Sequence, residues 1–364
     1  MKIVIPRIIY NRQQLKWDWS GTVTNLKKAF AEKGTLKEVN IFFNWRMKVY
    51  RVLRKLKLIR YDLNLFYIKE GFKNFSMSED DVYITFDEIQ SVASQSYIYQ
   101  DLNLNYLIQE KVSNPESFIY SGFQGVHDTQ LKKRSAYQNH YYENAAGIFS
   151  MSNWFADYLV EEQGLPSDKV HYVGAGLNID IKQVDFSRKE GNKFLFVGKD
   201  FKRKGGDLVI KAFRNLYEQG HKNLELYIVG PEEMPVLADS PNIYFVGNIP
   251  ADDLPKYFNL CDVFVLPSRF EAFGLVFVEA LAYGLPCIGR EMMEMKHFIK
   301  PGRNGFLINK TSEDSQELAD IMLKVIKDDS VFEFTKETHQ QIADFYSWNK
   351  VAERMMAVIE WDKR

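Results

Sequence analysis

Cysteine is nearly absent: the 364-residue chain holds two, Cys261 and Cys287. Two cysteines cannot build a disulfide framework, and both lie in apolar, strand-like stretches, so they read as buried thiols of a reducing compartment. Neither belongs to a metal-type cluster, so no metal site is expected. An excess of one charge is missing too, since 47 Lys and Arg stand against 48 Asp and Glu. Bulk charge therefore provides no attraction for nucleic acid, and any electrostatic role must be local. No apolar run approaches the roughly 20 residues that cross a bilayer. The opening Met-Lys-Ile-Val-Ile-Pro-Arg is too short for a secretory signal and reads as a first strand. These absences point to a cytoplasmic protein, with contact at the inner face of the membrane left open.

What is present is enough apolar surface for a large core. The chain is 46% hydrophobic and 15% aromatic, and at this length one core normally divides into two domains, with a cleft between them. The carboxy-terminal half alternates strand and helix patterns: strands at Phe194 to Val197, Leu224 to Val229, Ile243 to Val246 and Val263 to Leu266, with helices at Leu208 to Gln219, Leu254 to Asn259 and Leu275 to Tyr283. Gly284-Leu-Pro286 stops the last helix, and Cys287-Ile288 starts another strand. Such repeats predict an α/β fold, a parallel sheet with helices on both faces and right-handed crossovers. The amino-terminal half repeats the pattern less regularly, with strands near Ile3 to Ile5, Val82 to Ile84, Tyr97 to Tyr99, Gly147 to Phe149 and Val170 to Val173, and a helix from Ser152 to Gly164. The expected organisation is a domain over 1–178, a charged linker over 179–192, a second domain over 193–345, and a final helix within 346–364 that could pack on either domain.

In sheets of this type ligands sit beyond the carboxyl ends of the strands, which directs attention to Leu266-Pro-Ser-Arg-Phe-Glu-Ala-Phe-Gly-Leu-Val-Phe-Val-Glu279. A strand ends at Leu266, and Phe273-Gly274-Leu275 opens a helix. Its first N–H groups lack helical partners and carry the positive end of the dipole, a ready site for a phosphate. Gly274 permits close approach of that phosphate. Glu279, in the helix, can reach ribose hydroxyls on one side of the phosphates, and Glu271, in the loop, sugar hydroxyls on the other. The two could instead be the acid and nucleophile of a hydrolase. Eight residues at a helical rise of 1.5 Å would separate them by about 12 Å, beyond the roughly 5–9.5 Å of glycoside hydrolases, which favours binding roles.

A second loop, Val197-Gly198-Lys199-Asp-Phe-Lys-Arg-Lys204-Gly-Gly206, follows another strand. Lys199 and Lys204, beside a glycine pair that precedes a helix, could neutralise the charge growing on a departing diphosphate without a metal. Lys202 and Arg203 read as a solvated part of the same loop.

These segments resemble the retaining glycosyltransferases of the GT-B fold, glycosyltransferase family 4. The similarity runs in order through Phe196-Val-Gly-Lys, Lys204-Gly-Gly, Val229-Gly-Pro, Val246-Gly-Asn, Val265-Leu-Pro-Ser-Arg, Glu271 to Glu279, Ala280-Leu-Ala-Tyr-Gly-Leu-Pro and Asn304-Gly-Phe-Leu, and only weakly through the first domain. The resemblance implies two Rossmann-like domains facing across a central cleft, with the final helix packing near the interdomain region. It implies a nucleotide-sugar donor on the second domain, a glycan or lipid-linked acceptor on the first, and no cofactor beyond these substrates. It assigns Gly198, Lys199, Lys204 and the backbone of Phe273, Gly274 and Leu275 to the diphosphate, Glu279 to the ribose, Glu271 to the transferred sugar, and Asn248-Ile249 to the base. Three departures stand out. Lys199 occupies a position where the family often has arginine. The glycine-rich loop after the first strand is reduced to Trp19-Ser-Gly21-Thr, so Gly21 alone can admit a diphosphate or is a plain helix-start turn. Tyr99-Gln100-Asp101 stands where a histidine–aspartate pair is frequent, so Gln100 can only hydrogen-bond the sugar, while Asp101 could orient the acceptor or accept its proton. His127-Asp128 offers such a pair on another loop.

Arg46 to Arg60 contains no acidic residue, and its Val49, Val52, Leu53, Leu56 and Ile59 fall at helical spacing. This is either a packed helix with a solvated basic face or a basic amphipathic helix at an anionic membrane. The functional expectation is retaining sugar transfer in cell-surface polysaccharide or glycoconjugate synthesis. A nucleotide-sugar epimerase and a non-catalytic partner subunit of the same fold are the alternatives.

Overall fold

The computed structural model describes residues 2–9, 21–42, 44–56, 58, 66, 70, 77–86, 95–181, 184–186, 191–234 and 240–362. Trp19 and Ser20, Ile59 and Arg60, and part of the charged 179–192 stretch lie outside the described residues. The chain divides into two units, Met1–Gly176 with Trp348–Arg364, and Leu177–Ser347. Each is built on a six-stranded sheet.

In the second unit the strands are β9 (Lys193–Val197), β10 (Glu225–Val229), β11 (Ile243–Gly247), β12 (Val263–Val265), β13 (Cys287–Arg290) and β14 (Gly305–Ile308). They are all parallel and ordered β11-β10-β9-β12-β13-β14. Chain order runs outward from β9 in one direction and then from β12 in the other, so right-handed crossovers place helices on opposite faces of the sheet. The Gly206–Glu218 helix packs with Ser315–Ile326, and Leu275–Ala282 with Asp329–Phe345. Strands covered on both faces need apolar side chains on both faces. Phe194, Leu195 and Phe196 are accordingly all buried in β9, as are Val263, Phe264 and Val265 in β12. Both cysteines are buried.

The described parts of the stretch read as a linker lie on this unit. The Tyr283 hydroxyl donates to Asp180 O, and Asp185 N–H donates to Asn259 Oδ1 at 2.9 Å.

The first unit contains β1 (Ile3–Val4), β3 (Leu36–Lys37), β5 (Val82–Thr85), β6 (Ser96–Gln100), β7 (Gly147–Ser150) and β8 (Val170–Tyr172). These are parallel in the order β3-β1-β5-β6-β7-β8. A separate parallel pair joins β2 (Arg7–Ile9) to β4 (Asn40–Phe42). The sequence order therefore reverses between β1 and β5 here, whereas in the second unit it reverses between β9 and β12. The helix expected from Ser152 to Gly164 begins as Asn153–Asp157 and widens into a π-helical turn, Tyr158–Glu162.

The final helix, Trp348–Trp361, packs on Thr22–Glu32 of the first unit. Val351, Ala352, Met355 and Ile359 are fully buried. The Trp348 indole fills the space of a missing side chain, since a Cβ on Gly176 would lie 2.3 Å from Trp348 Cδ2. Arg354 Nε donates to Val173 O at 2.7 Å, and the Tyr97 hydroxyl donates to Asp362 at 2.5 Å. Among the described residues no helix is long and apolar enough to cross a membrane.

One buried carboxylate secures the central strand of the second unit. Asp262, 1% exposed, accepts the N–H groups of Asn192 and Lys193 at 3.0 and 2.9 Å. This fixes the entrance to β9 against the start of β12. Removing it leaves two main-chain donors without their charged acceptor, at roughly 1.5–3 kcal/mol per bond. We expect Asp262→Ala to lower the urea midpoint by an amount equivalent to about 3 kcal/mol, and Asp262→Asn, which keeps an acceptor oxygen, to recover part of it. An unchanged midpoint in Asp262→Ala would show that the carboxylate does not secure the strand.

Candidate functional site

The loops leaving β9 and β12 emerge side by side at the carboxyl end of the second sheet, where the strand order reverses. This is where open α/β sheets bind ligands. Steric detail shows how tightly the loops fit. Gly205 is left-handed, with φ +75°, and a Cβ there would lie 2.5 Å from Pro267 O. Arg269 N–H crosses to Arg203 O at 2.8 Å. On the other side of β9, a Cβ on Gly230 would meet the Gly198 carbonyl carbon at 2.7 Å. Three strand-end loops are therefore in backbone contact, and the Gly206–Glu218 helix starts among them.

Two residues singled out in the sequence meet here. Glu271 Oε2 accepts from Lys204 Nζ, from Arg203 Nη1 at 3.3 Å and from Ser268 Oγ at 3.4 Å. The side chains are largely enclosed, Lys204 being 13% and Glu271 12% exposed. Burial is the largest influence on the Glu271 carboxyl and pushes it up, yet the charges of Lys204 and Arg203 together outweigh burial and hold it below the ordinary glutamate value. Burial also lowers Lys204 against the pull of Glu271. The arrangement is an ion pair in a partly dehydrated site.

Gly274 caps the Leu275–Ala282 helix in the left-handed region, φ +83°. A Cβ there would lie 2.9 Å from the Phe277 ring and 3.1 Å from Glu271 Cγ. Glycine is thus needed both for the turn and for the proximity of the helix start to Glu271. Phe273 is buried against Phe298 in an edge-on contact at 5.2 Å. Further along the helix Glu279 is 6% exposed. Burial pushes its carboxyl up to about 7, moderated by a backbone hydrogen bond at Asn178 and by the Lys204 charge. It is therefore a group that changes protonation near neutrality.

Lys199 is exposed at the mouth of the loop after the buried Gly198. Asn248 is exposed and Ile249 half-buried after β11, at the edge of the sheet. Arg203, read from the sequence as solvated, is instead tied down: Nη1 donates to Phe270 O at 2.8 Å, and Nε to Asp200 at 3.3 Å. Its signal was lost in a run of four basic or glycine-flanked positions. A network not anticipated at all supports the same loop. Arg269 binds Asp207 at 2.7 and 3.1 Å and Glu313 at 2.9 Å. Arg290, 2% exposed at the end of β13, donates to Ser268 O at 3.1 Å and to Glu313 at 3.2 Å. An arginine closing an otherwise apolar strand at its ligand end was the sequence signal for it.

In the first unit the singled-out residues are held differently. Tyr99 is fully buried and donates to Gly174 O at 2.7 Å, which leaves it no surface to offer a ligand and corrects its placement on the acceptor side. Gln100, 5% exposed, accepts from the Tyr142 hydroxyl at 2.6 Å and donates to Phe86 O at 3.4 Å. Asp101 is half-buried beside them. Gly21 is the left-handed cap, φ 96°, of the Thr22–Glu32 helix. His127 and Asp128 begin the Asp128–Asn144 helix: His127 Nδ1 accepts from Thr129 N–H at 3.3 Å, and Asp128 pairs with Lys111. Their proximity in sequence is explained by capping. Among the described residues no group of three or more His, Cys, Asp or Glu could hold a metal ion.

The chain is similar in sequence and fold to known proteins. The Agrobacterium fabrum mannosylfructose-phosphate synthase is 24% identical over 256 residues, covering 63% of this chain and 56% of that protein. The chain spans about half the length of the first curated relatives it matches. Among solved structures, WaaG, a glycosyltransferase involved in lipopolysaccharide biosynthesis, superposes with a TM-score of 0.66 at 16% identity over 98% of this chain and 99% of WaaG. HepE of Anabaena, solved in complex with UDP-glucose, superposes with a TM-score of 0.65 at 14% identity over 99% of this chain and 100% of that one. The fold is therefore that of the GT-B glycosyltransferase structures. Residues 178–344, nearly the whole of the second unit, match the family model described as glycosyl transferases group 1.

Proposed function

We propose that the protein is a retaining glycosyltransferase of family 4, moving a sugar from a nucleoside diphosphate to a glycan or lipid-linked acceptor in cell-surface glycoconjugate synthesis. The observation that carries the reading is the Lys204–Glu271 pair set against the Gly274 helix start, with Glu279 buried further along the same helix. Cation, dipole and carboxylates are the groups a sugar diphosphate presents partners for. Lys199, Lys204 and the N–H groups from Phe273 to Leu275 take the diphosphate. Glu279 takes ribose hydroxyls, Glu271 takes hydroxyls of the transferred sugar, and Asn248-Ile249 border the base. The first unit presents the acceptor, with Asp101 oriented toward it.

In the transferring step the bond between the anomeric carbon and the diphosphate oxygen breaks as the acceptor oxygen bonds to the same face. The proton of the acceptor passes to the leaving diphosphate oxygen. Negative charge accumulates on the diphosphate, and fixed cations that need no reorganisation stabilise it. With lysines and a helix start supplying the positive charge, no metal or cofactor has a step to perform.

The Trp45–Lys55 helix suggests where the acceptor comes from. Met47, on one side, is fully buried, whereas Trp45, Val49, Val52 and Leu56 are 69, 47, 56 and 62% exposed. They recur at steps of four, three and four residues, which forms one stripe along a helix. The helix packs through Met47, and the exposure of its apolar stripe, with Arg46, Lys48 and Lys55 flanking it, supports the membrane alternative over the packed one. An outward apolar stripe between cations suits the interface of an anionic bilayer.

Three outcomes test these assignments. In a thermal-shift panel of uridine, guanosine and thymidine diphosphate sugars, one donor should raise the melting temperature, and Glu279→Ala should abolish the rise. Stabilisation by none of them would refute the donor site, and product of inverted configuration would refute retention. The raised carboxyl of Glu279 makes the second outcome pH-dependent. The folded protein binds a proton there up to about pH 7, while an unfolded glutamate releases it near 4.5, so this group's contribution to stability is complete below the lower value and lost as pH rises through the higher. Without ligand, Glu279→Gln should therefore raise the melting temperature more at pH 8 than at pH 5. Calorimetry in buffers of different ionisation enthalpy should show a proton released on nucleotide binding near neutrality. Third, the protein should float with vesicles containing phosphatidylglycerol but not with phosphatidylcholine alone. Val52→Asp with Leu56→Asp should remove flotation without lowering the melting temperature, and equal flotation with both lipids would count against the assignment.

A further inference from the structure

We propose that Arg203 is the positioning residue for Glu271, holding one oxygen of that carboxylate when Lys204 turns to the diphosphate and leaving the other oxygen for the sugar. The inference rests on the donor-site reading above but concerns a residue to which that reading gives no task.

The geometry is asymmetric. Lys204, Arg203 and Ser268 all donate to the same oxygen, Oε2, and Oε1 has no hydrogen bond among the described residues. The two cations differ in how they are held. Lys204 is a point charge on a flexible stem whose hydrogen bond is to Glu271 itself. Arg203 is a planar fork fixed elsewhere: Nη1 on Phe270 O at 2.8 Å, Nε on Asp200 Oδ2 at 3.3 Å, and its own carbonyl on Arg269 N–H at 2.8 Å. Backbone and side chain of Arg203 are thus both anchored to the 269–271 loop or to its own turn. A diphosphate can draw Lys204 away while Arg203 remains.

The need for such a holder follows from burial. A carboxylate whose side chain is 12% exposed would lose its closest cation at the moment the donor arrives. With Ser268 alone it would favour the protonated form and could no longer accept hydroxyls with its full charge. Arg203 lets Lys204 change partner without that loss.

Two measurements on the full-length chain test this. The first needs no ligand: Lys204→Met imitates the departure of the lysine. Its melting temperature should fall between pH 5 and 8 only as far as the titration of Glu279 requires, because Arg203 keeps Glu271 ionised. In Lys204→Met with Arg203→Gln, the melting temperature should fall by several degrees more as pH rises over this range. Adding Glu271→Gln should abolish the additional fall. Equal pH dependence in the single and double variants would overturn the proposal, whatever the protein binds. The second compares UDP with UDP-glucose and GDP with GDP-mannose by calorimetry. For the pair that the wild type binds, Arg203→Gln should weaken the sugar nucleotide about tenfold, a coupling of roughly 1.4 kcal/mol, and the nucleotide alone by less than about twofold. Arg203→Lys should restore part of the difference, and in a Glu271→Gln background Arg203→Gln should add nothing. Equal weakening of both ligands would make Arg203 a phosphate contact, and weakening of neither would make it structural; either result overturns the positioning role. Absence of binding by the wild type would refute the donor reading, with the ligand-free comparison still deciding the role of Arg203.

Discussion

The second unit is organised around one electrostatic constraint: a carboxylate and a lysine from loops of adjacent strands share a site from which water is mostly excluded. Opposite charges brought out of water are worth keeping only when their geometry is fixed and their remaining hydrogen-bonding capacity is met. The surrounding structure meets both conditions. Arg203 and Ser268 share the Oε2 of Glu271. Gly205 lets the β9 loop press on the backbone of Pro267. Arg269 and Arg290, bridged by Glu313, fasten the β12 loop from behind. These arginines lie outside the site and determine where its carboxylate can be.

The same arrangement explains why the two loops carry three glycines with different tasks. Gly205 provides a left-handed turn against backbone, Gly206 leaves room for the Phe201 ring, and Gly274 brings a helix start to Glu271. A loop dense in Lys, Arg and Gly looks flexible when read as composition. Its turn is closed by hydrogen bonds from Lys204 N–H to Asp200 O at 2.9 Å and from Gly206 N–H to Phe201 O at 2.9 Å. A fixed turn keeps the stems of these cations in place, so once Lys204 has changed partner no further rearrangement is needed as the anion develops.

Much of this was legible in the sequence because of how parallel sheets are buried. An unbroken Phe194-Leu-Phe196 followed by a loop and an amphipathic helix has few other folded solutions, and the second unit was read strand by strand. The residues at the ends of β9 and β12 followed from the rule for such sheets. Arg203 did not, because a basic residue among basic residues carries no sign of its partner, and Glu271 lies 68 positions further along the chain. The outward stripe of Trp45, Val49, Val52 and Leu56 was equally ambiguous, since helical periodicity reports a face and not the direction in which it points. Tyr99 was misjudged for a related reason: it lies in a buried strand, and Gly174 O is the group that receives its hydroxyl.

The topology also explains why the first unit was harder to read. Its strand order reverses between β1 and β5, so the place where an open sheet binds ligands lies at the carboxyl ends of those two strands. Gln100 ends β6 and Asp101 follows it, one strand away from that point. Residues 10–20 and 87–94, which come after β1 and β5 in the chain, lie outside the described residues. In the second unit the reversal falls between two strands whose loops hold the recognisable Lys-Gly-Gly and Glu-x-Phe-Gly patterns, so motif and topology indicate the same place. In the first unit the recognisable triplet and the reversal point are separated by a strand. A motif identifies a binding site when the sheet also turns there, and the two units of this chain differ in that respect.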